Sequence, residues 1–263
     1  MSELAAVSAF ELGILFVVGS LAGWLNVMAA GGSLLTVPAL LFLGLPGPVA
    51  NGTNRIGILL QSALAVLTFF RQGFYDFRLG LSLAGMASLG ALGGASVGVR
   101  IEGVWFDRLL VAVIVGVMLM MLMPTRKKSN SKQTVVKPQH GIRVSSQRLV
   151  LGHVLMVAAG FWGGMIQMGV GFLLMPILHR VLLLDLVRVN MYKVFIVLVY
   201  TAVALMVFGL QVEISWRAGL ALASGMMLGG WLGVRMTIAR GESWIRAVLF
   251  IMLTVICARL LFF

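Results

Sequence analysis

Residues 28–55 read MAAGGSLLTVPALLFLGLPGPVANGTNR. Within this stretch the apolar segment 34–45 follows a glycine pair, contains Pro38 and stops at the turn formers Gly44 to Pro48. At about 1.5 Å of rise per residue, a helix of that length cannot cross about 30 Å of hydrocarbon. Its neighbours can. The run from Phe10 to Ala30 lacks Lys, Arg and Asp and carries Glu11 as its only Glu, while Leu79 to Val99 and Leu149 to Leu178 carry no charge. The short piece therefore reads as a broken or re-entrant helix inside a membrane bundle, where non-helical backbone is tolerated only against protein or a water-filled cavity.

Working outward, apolar segments fall near 10–30, 34–45, 55–71, 79–99 and 107–124, and after a polar stretch near 149–168, 171–184, 190–208, 216–236 and 243–263. The same order of four long pieces and one short one recurs, which predicts an internal repeat. GGSLLTVP at 31–38 aligns with GVGFLLMP at 169–176, and GALGGASVGVR at 90–100 with GMMLGGWLGVR at 225–235. The expected fold is all-α, a polytopic transmembrane bundle of two repeated halves with about eight full spans and two short Gly/Pro-broken helices. Ten spans, as two inverted fives, is the alternative; it places Arg180, Arg188, Arg235, Arg240 and Arg246 on the cytoplasmic side. The division is 1–124 for the first repeat, 125–148 for a basic linker and 149–263 for the second repeat.

Composition agrees with a membrane solvent. The chain is 60% hydrophobic and 11% charged, with mean hydropathy +1.06, and the period-2 alternation of a membrane barrel is absent. A formal charge of +12 would suggest nucleic acid in a water-soluble protein, but its placement argues otherwise. Arg126, Lys127, Lys128, Lys132, Lys137, Arg143 and Arg148 share one loop without an acid, as cytoplasmic loops do. That loop is expected in the cytoplasm of a cell with an inner (plasma) membrane, as a flexible linker with some contact to anionic lipid. The opening MSELAAVSAFELG lacks the cationic region of a signal peptide, so the first apolar stretch is expected to remain a span. Cys257 is the sole cysteine, which excludes an internal disulfide and reads as filler facing lipid.

Paired helix breaks in matching segments point to a binding site, because transporters commonly hold substrate where discontinuous helices meet. Gly31, Gly32 and Ser33 precede one short helix, and Gln167, Gly169 and Gly171 stand at the start of the other. Glycine permits a sharp turn there, and the first N–H groups of the next helix carry partial positive charge that suits an anion. The plainer reading of glycines in such chains is close helix packing, and it is preferred for Gly90, Gly94, Gly98, Gly225, Gly229 and Gly233.

A second constellation is ANGTNR at 50–55, where Asn51, Thr53 and Asn54 are placed to cap a helix that Arg55 begins. RVNMYK at 188–193 corresponds to it, with Lys193 at the position matching Arg55 and Asn190 and Tyr192 alongside. The two cations either hold a carboxylate, sulfite or sulfonate by charge-assisted hydrogen bonds or snorkel to the headgroups.

Acids are few and lie mostly at loop edges, so no buried proton relay is evident. Glu11 reads as a solvated carboxylate at a span end rather than a coupling group. His153 and His179 read as hydrogen-bonded structural residues. Gln61 and Gln167 are expected to face protein or a cavity. An intramembrane enzyme fares poorly, since there is no HExxH, no Cys/His metal cluster, no carboxylate pair and no GxSxG turn; no metal and no cofactor is expected. A channel would need pore-lining rings that the halves do not display.

From MAAGGSLLTVPALLFLGLPGPVANGTNR onward the chain resembles the sulfite exporter TauE/SafE family, also called the toluene sulfonate uptake permease family, across nearly its whole length. The glycine turn before a Pro, the short Leu-rich helix, the Gly/Pro turn at 44–48 and the Ala-Asn-x-Thr-Asn element carry the resemblance. It departs in having AGGS where many members run three or more glycines, and GVG in the second half. The resemblance implies transport of sulfite, sulfonates or related sulfur and carboxylate anions, through about eight spans that arose by duplication. The expected function is thus movement of a small anion by alternating access, as export, with an anion channel or proton-coupled uptake as alternatives.

Overall fold

A computed structural model describes residues 8–29, 31–73, 77–106, 108–109, 111–112 and 145–262. Most of the expected segment 107–124 and of the basic linker, and the side chain of Cys257, lie outside the described residues. The described chain forms α1 (Ala9–Ala29), α2 (Ser33–Phe42), α3 (Gly47–Arg71), α4 (Phe77–Gly98), α5 (Ser146–Met165), α6 (Val170–Pro176), α7 (Leu186–Gln211) and α8 (Trp216–Phe262). A single π-helical stretch over Ile177–Val181 continues α6. Among the described residues, five helices are long and apolar enough to cross a membrane: Ala9–Met28, Gly47–Arg71, Arg78–Gly98, Ser146–Met165 and Leu186–Gln211. Large apolar side chains such as Phe10, Phe42 and Leu210 stand exposed on the outside of the bundle, which hydrocarbon tolerates and water would not.

Local sequence explains where the helices start. Ser8 and Glu11 form a capping box: Glu11 Oε2 accepts from Ser8 N at 2.7 Å, and Glu11 N donates to Ser8 Oγ at 3.3 Å. Glu11 is therefore occupied at the mouth of α1. α7 is opened by Asp185, whose Oδ1 accepts from Val187 N and Arg188 N. α3 starts at Gly47 with Pro48 in its first turn, where a missing N–H costs nothing. That start lies eight residues before Arg55, so the expectation that Asn51, Thr53 and Asn54 cap a helix beginning at 55 is corrected. They lie inside α3, and all are buried. A second correction concerns the last segments, because 216–236 and the described part of 243–263 belong to one uninterrupted helix, α8, of 47 residues. Gly241 weakens a helix without ending it, and no proline interrupts the run.

The helices pack crosswise. α1 lies along α8 and α5 along α4, while α3 contacts α8, α7 contacts α4, and α3 meets α7. Small residues set these distances. A Cβ at Gly90 would strike Val157 O and one at Gly94 would strike Phe161 O, while Gly160 and Gly164 face Ala87 O and Ala91 O in return. The α1–α8 contact is built alike, with Gly225 and Gly229 against Phe16 O and Ser20 O. Lipid offers helices no hydrophobic drive to associate, so such backbone proximity is what their packing rests on.

Both expected breaks are present. α5 ends at Met165 and α6 begins at Val170, with Gln167 at φ 61° and Gly169 at φ 70° between them. Glycine is suited to that conformation; Gln167 adopts it without that ease. The first break differs from expectation in its cause. Gly32 has ordinary helical dihedrals, and a Cβ there would meet Ala22 O of α1. It is small because α2 folds back tightly on α1, not because the turn demands glycine.

Candidate functional site

Arg55 lies within the first half of α3 and is wholly buried. Its Nη1 donates to Gly163 O at 3.1 Å and to Gln167 Oε1 at 3.0 Å, and its Nη2 donates to Gly164 O and, at 3.4 Å, to Asn51 Oδ1. Asn51 Nδ2 donates to Met165 O at 2.8 Å. Three carbonyls at the end of α5 are thus held from α3. The guanidinium also lies 4.3 Å from the centre of the Phe208 ring, a favourable stack for a desolvated cation.

Lys193 sits likewise in α7 and is buried. Its Nζ donates to Asn26 O at 2.9 Å, Val27 O at 2.8 Å and Asn190 Oδ1 at 2.9 Å. The carbonyls are the last turns of α1, which stops at Ala29. Orphan carbonyls and the negative pole of a helix end favour a cation at such a place. Neither cation snorkels to the headgroups, and that alternative is corrected: each is used inside the bundle, beside a helix break.

A small cavity lies between the two breaks. Its polar wall is Asn26, Ser33, Ser62, Gln167 and Lys193; Gly171 adds backbone, and Ile58, Val170, Val194 and Val197 make the rest aliphatic. It leaves room for about one water molecule. Among the described residues, Lys193 is its only charged lining residue and no acid lines it. Ser33 is the first residue of α2 and Gly171 the second of α6, so the cavity sits at the starts of both short helices.

The site residues expected from sequence divide into four groups. Ser33, Gln167, Gly171 and Lys193 meet on the cavity. Arg55, Asn51 and Asn190 stand behind it, holding Gln167, the end of α5 and the Lys193 ammonium. Thr53 and Asn54 are engaged elsewhere, since Thr53 Oγ1 accepts from Ser215 N at 3.1 Å and Asn54 Oδ1 from Thr36 Oγ1 at 2.6 Å. Gly31, Gly32 and Gly169 belong to the breaks and do not line the cavity. Gln167 is fixed by Tyr200 and Thr201, whose hydroxyl oxygens accept from its Nε2 at 3.1 Å each.

Asn26 and Ser62 are lining residues that the sequence did not mark for function. Asn26 is a carboxamide within an apolar run, a signal of the same kind as Gln61, and the two are bonded at 2.9 Å. His153 bonds with Ser82 Oγ and Leu149 O, and His179 with Leu184 O, so both hold local structure.

The family model described as sulfite exporter TauE/SafE matches residues 15–260. A Sinorhizobium protein described as probable membrane transporter protein ORF9 is 27% identical, over 95% of this chain and 92% of its own. A probable membrane transporter protein of Haemophilus influenzae is 26% identical, over 95% and 94%. The Escherichia coli protein described as probable membrane transporter protein YfcA is 24% identical, over 99% and 93%. No solved structure matches the chain significantly.

Proposed function

The chain belongs to the sulfite exporter TauE/SafE family of membrane transporters, and from that premise we propose that it moves a small sulfur or carboxylate anion, such as sulfite or a sulfonate, out of the cell by alternating access. The cavity between the two helix breaks carries this reading. Among the described residues, one ammonium, two serine hydroxyls and two carboxamides line it and no carboxylate does, and the starts of both short helices face the same space. A desolvated anion needs such donors, and any acid there would repel it.

The cavity as it stands is too small for the anion, as expected of a closed intermediate that opens to either side in turn. We read the halves as repeats, each carrying one broken helix, a scheme supported by the crossed contacts of α1 with α8 and α5 with α4. The inner membrane is the proposed location, with the basic linker in the cytoplasm. Export of a monoanion from a negative interior gains about 2.3 kcal/mol per 100 mV, so it needs no proton-coupling carboxylate. These groups offer no nucleophile paired with a base, and an enzymatic role is not proposed.

Flux of labelled sulfite, methanesulfonate and acetate from proteoliposomes at an imposed potential tests the reading. Efflux that rises as the interior is made more negative is expected. Failure to move any of these anions would overturn it.

A further inference from the structure

Hydroxyls in membrane helices commonly bond back to the carbonyl one turn earlier. In this chain Ser20 donates to Phe16 O, Thr68 to Leu64 O, Ser88 to Ala84 O and Ser96 to Leu92 O, at 2.7 to 2.8 Å. Ser62 does not follow them. Its Oγ is buried without a hydrogen-bond partner, and the residue lines the cavity shared by Lys193 and Ser33. A buried polar atom left unpaired opposes folding, and an acceptor oxygen placed in the cavity would relieve it.

Resting on the anion-transport reading above, we infer that Ser62 donates a hydrogen bond directly to the transported anion and makes its site one-sided. The ammonium of Lys193 and the hydroxyls of Ser33 and Ser62 supply the donors. The second half lacks counterparts. At the same offset of 138 that relates Arg55 to Lys193, Ser33 corresponds to Gly171 and Ser62 to Tyr200. Tyr200 is already engaged by Gln167 and does not line the cavity. On that side the space is occupied instead by Gln167, fixed between Arg55 and the Tyr200 and Thr201 hydroxyls. The anion therefore sits against α3 and α7 on the Lys193 side, and Arg55 supports the site without touching it.

Ser62→Ala removes one donor and almost no volume. In proteoliposomes its KM for the transported anion is expected to rise about tenfold to a hundredfold, the range for losing a hydrogen bond to a charged group. In detergent without anion its thermal midpoint should equal or exceed that of the unsubstituted protein, while the rise on adding sulfite or methanesulfonate shrinks. Ser62→Cys, similar in size and a weaker donor, should give an intermediate KM should the alanine variant fold poorly. Ser88→Ala, which loses only a bond to Ala84 O, should leave KM unchanged. An unaltered KM in a folded Ser62 variant, with the unsubstituted protein active, overturns this inference alone. Absence of flux in the unsubstituted protein overturns the transport reading and this one with it.

Discussion

Arg55 and Lys193 reach across the molecule in opposite directions, Arg55 from α3 to the carbonyls of Gly163 and Gly164 and Lys193 from α7 to those of Asn26 and Val27. Each cation thus secures the end of a helix that stops inside the bundle. Bare carbonyls at such depth would be costly, so the broken helices exist because these side chains complete them. The two are not interchangeable. Lys193 also faces the cavity, whereas Arg55 is spent on five acceptors' worth of local structure, a ring face included.

Arg55→Met is expected to act on folding. It strands the carbonyls of Gly163 and Gly164 and the Oε1 of Gln167, at about 1–3 kcal/mol for each buried acceptor left unsatisfied. The check is folded, monodisperse yield in detergent and the thermal midpoint, both of which should fall sharply. Arg55→Lys keeps the charge but lacks the fork and should recover part of the loss. A stable Arg55→Met protein with lost transport would instead make Arg55 a substrate ligand.

Lys193→Gln is expected to lower anion affinity by at least about a hundredfold, since it removes the ammonium that lines the cavity. Flux normalised to folded protein in the bilayer measures it. Lys193→Arg should retain measurable flux. Undiminished transport by Lys193→Gln would place the anion elsewhere.

Thr53→Val should separate structure from function. It leaves the Ser215 N–H without its acceptor, a cost of about 1–3 kcal/mol, seen as a lowered thermal midpoint. KM should not move, because Thr53 is turned to the α7–α8 turn and away from the cavity.

Gly94→Leu should prevent α4 from closing on α5, because even a Cβ at Gly94 meets Phe161 O. Gly85→Ala is the companion variant. With nothing within 4 Å of an added Cβ, it should be neutral or raise stability by up to about 1 kcal/mol through helix propensity. Equal yields for the two would contradict the packing of α4 on α5.

The breaks were legible because Gly31, Gly32, Gly169, Pro38 and Pro176 punctuate runs too short to span. Gln167 was legible as a carboxamide with no reason to face lipid. The start of α3 was not, because Asn51, Thr53 and Asn54 are good capping residues and only the bundle shows that their side chains bond to Met165 O, Ser215 N and Thr36 Oγ1 instead. The partners of Arg55 and Lys193 were hidden for a different reason. They are main-chain carbonyls, which every residue carries and no letter of the sequence marks. Ser62 was hidden because a helical serine ordinarily satisfies itself, and only the missing bond to its own helix sets it apart.

The crossed packing has a consequence for biogenesis. When the first 124 residues have left the ribosome, α1 still lacks the lysine that will complete its end, and Arg55 still lacks the helix it will complete. The inserted but unfinished segments must wait in the bilayer, their polar groups open to water or to the insertion machinery, until α5 through α8 arrive. A gene cut within the linker would accordingly yield two fragments that are degraded when made alone and rescue each other when made together.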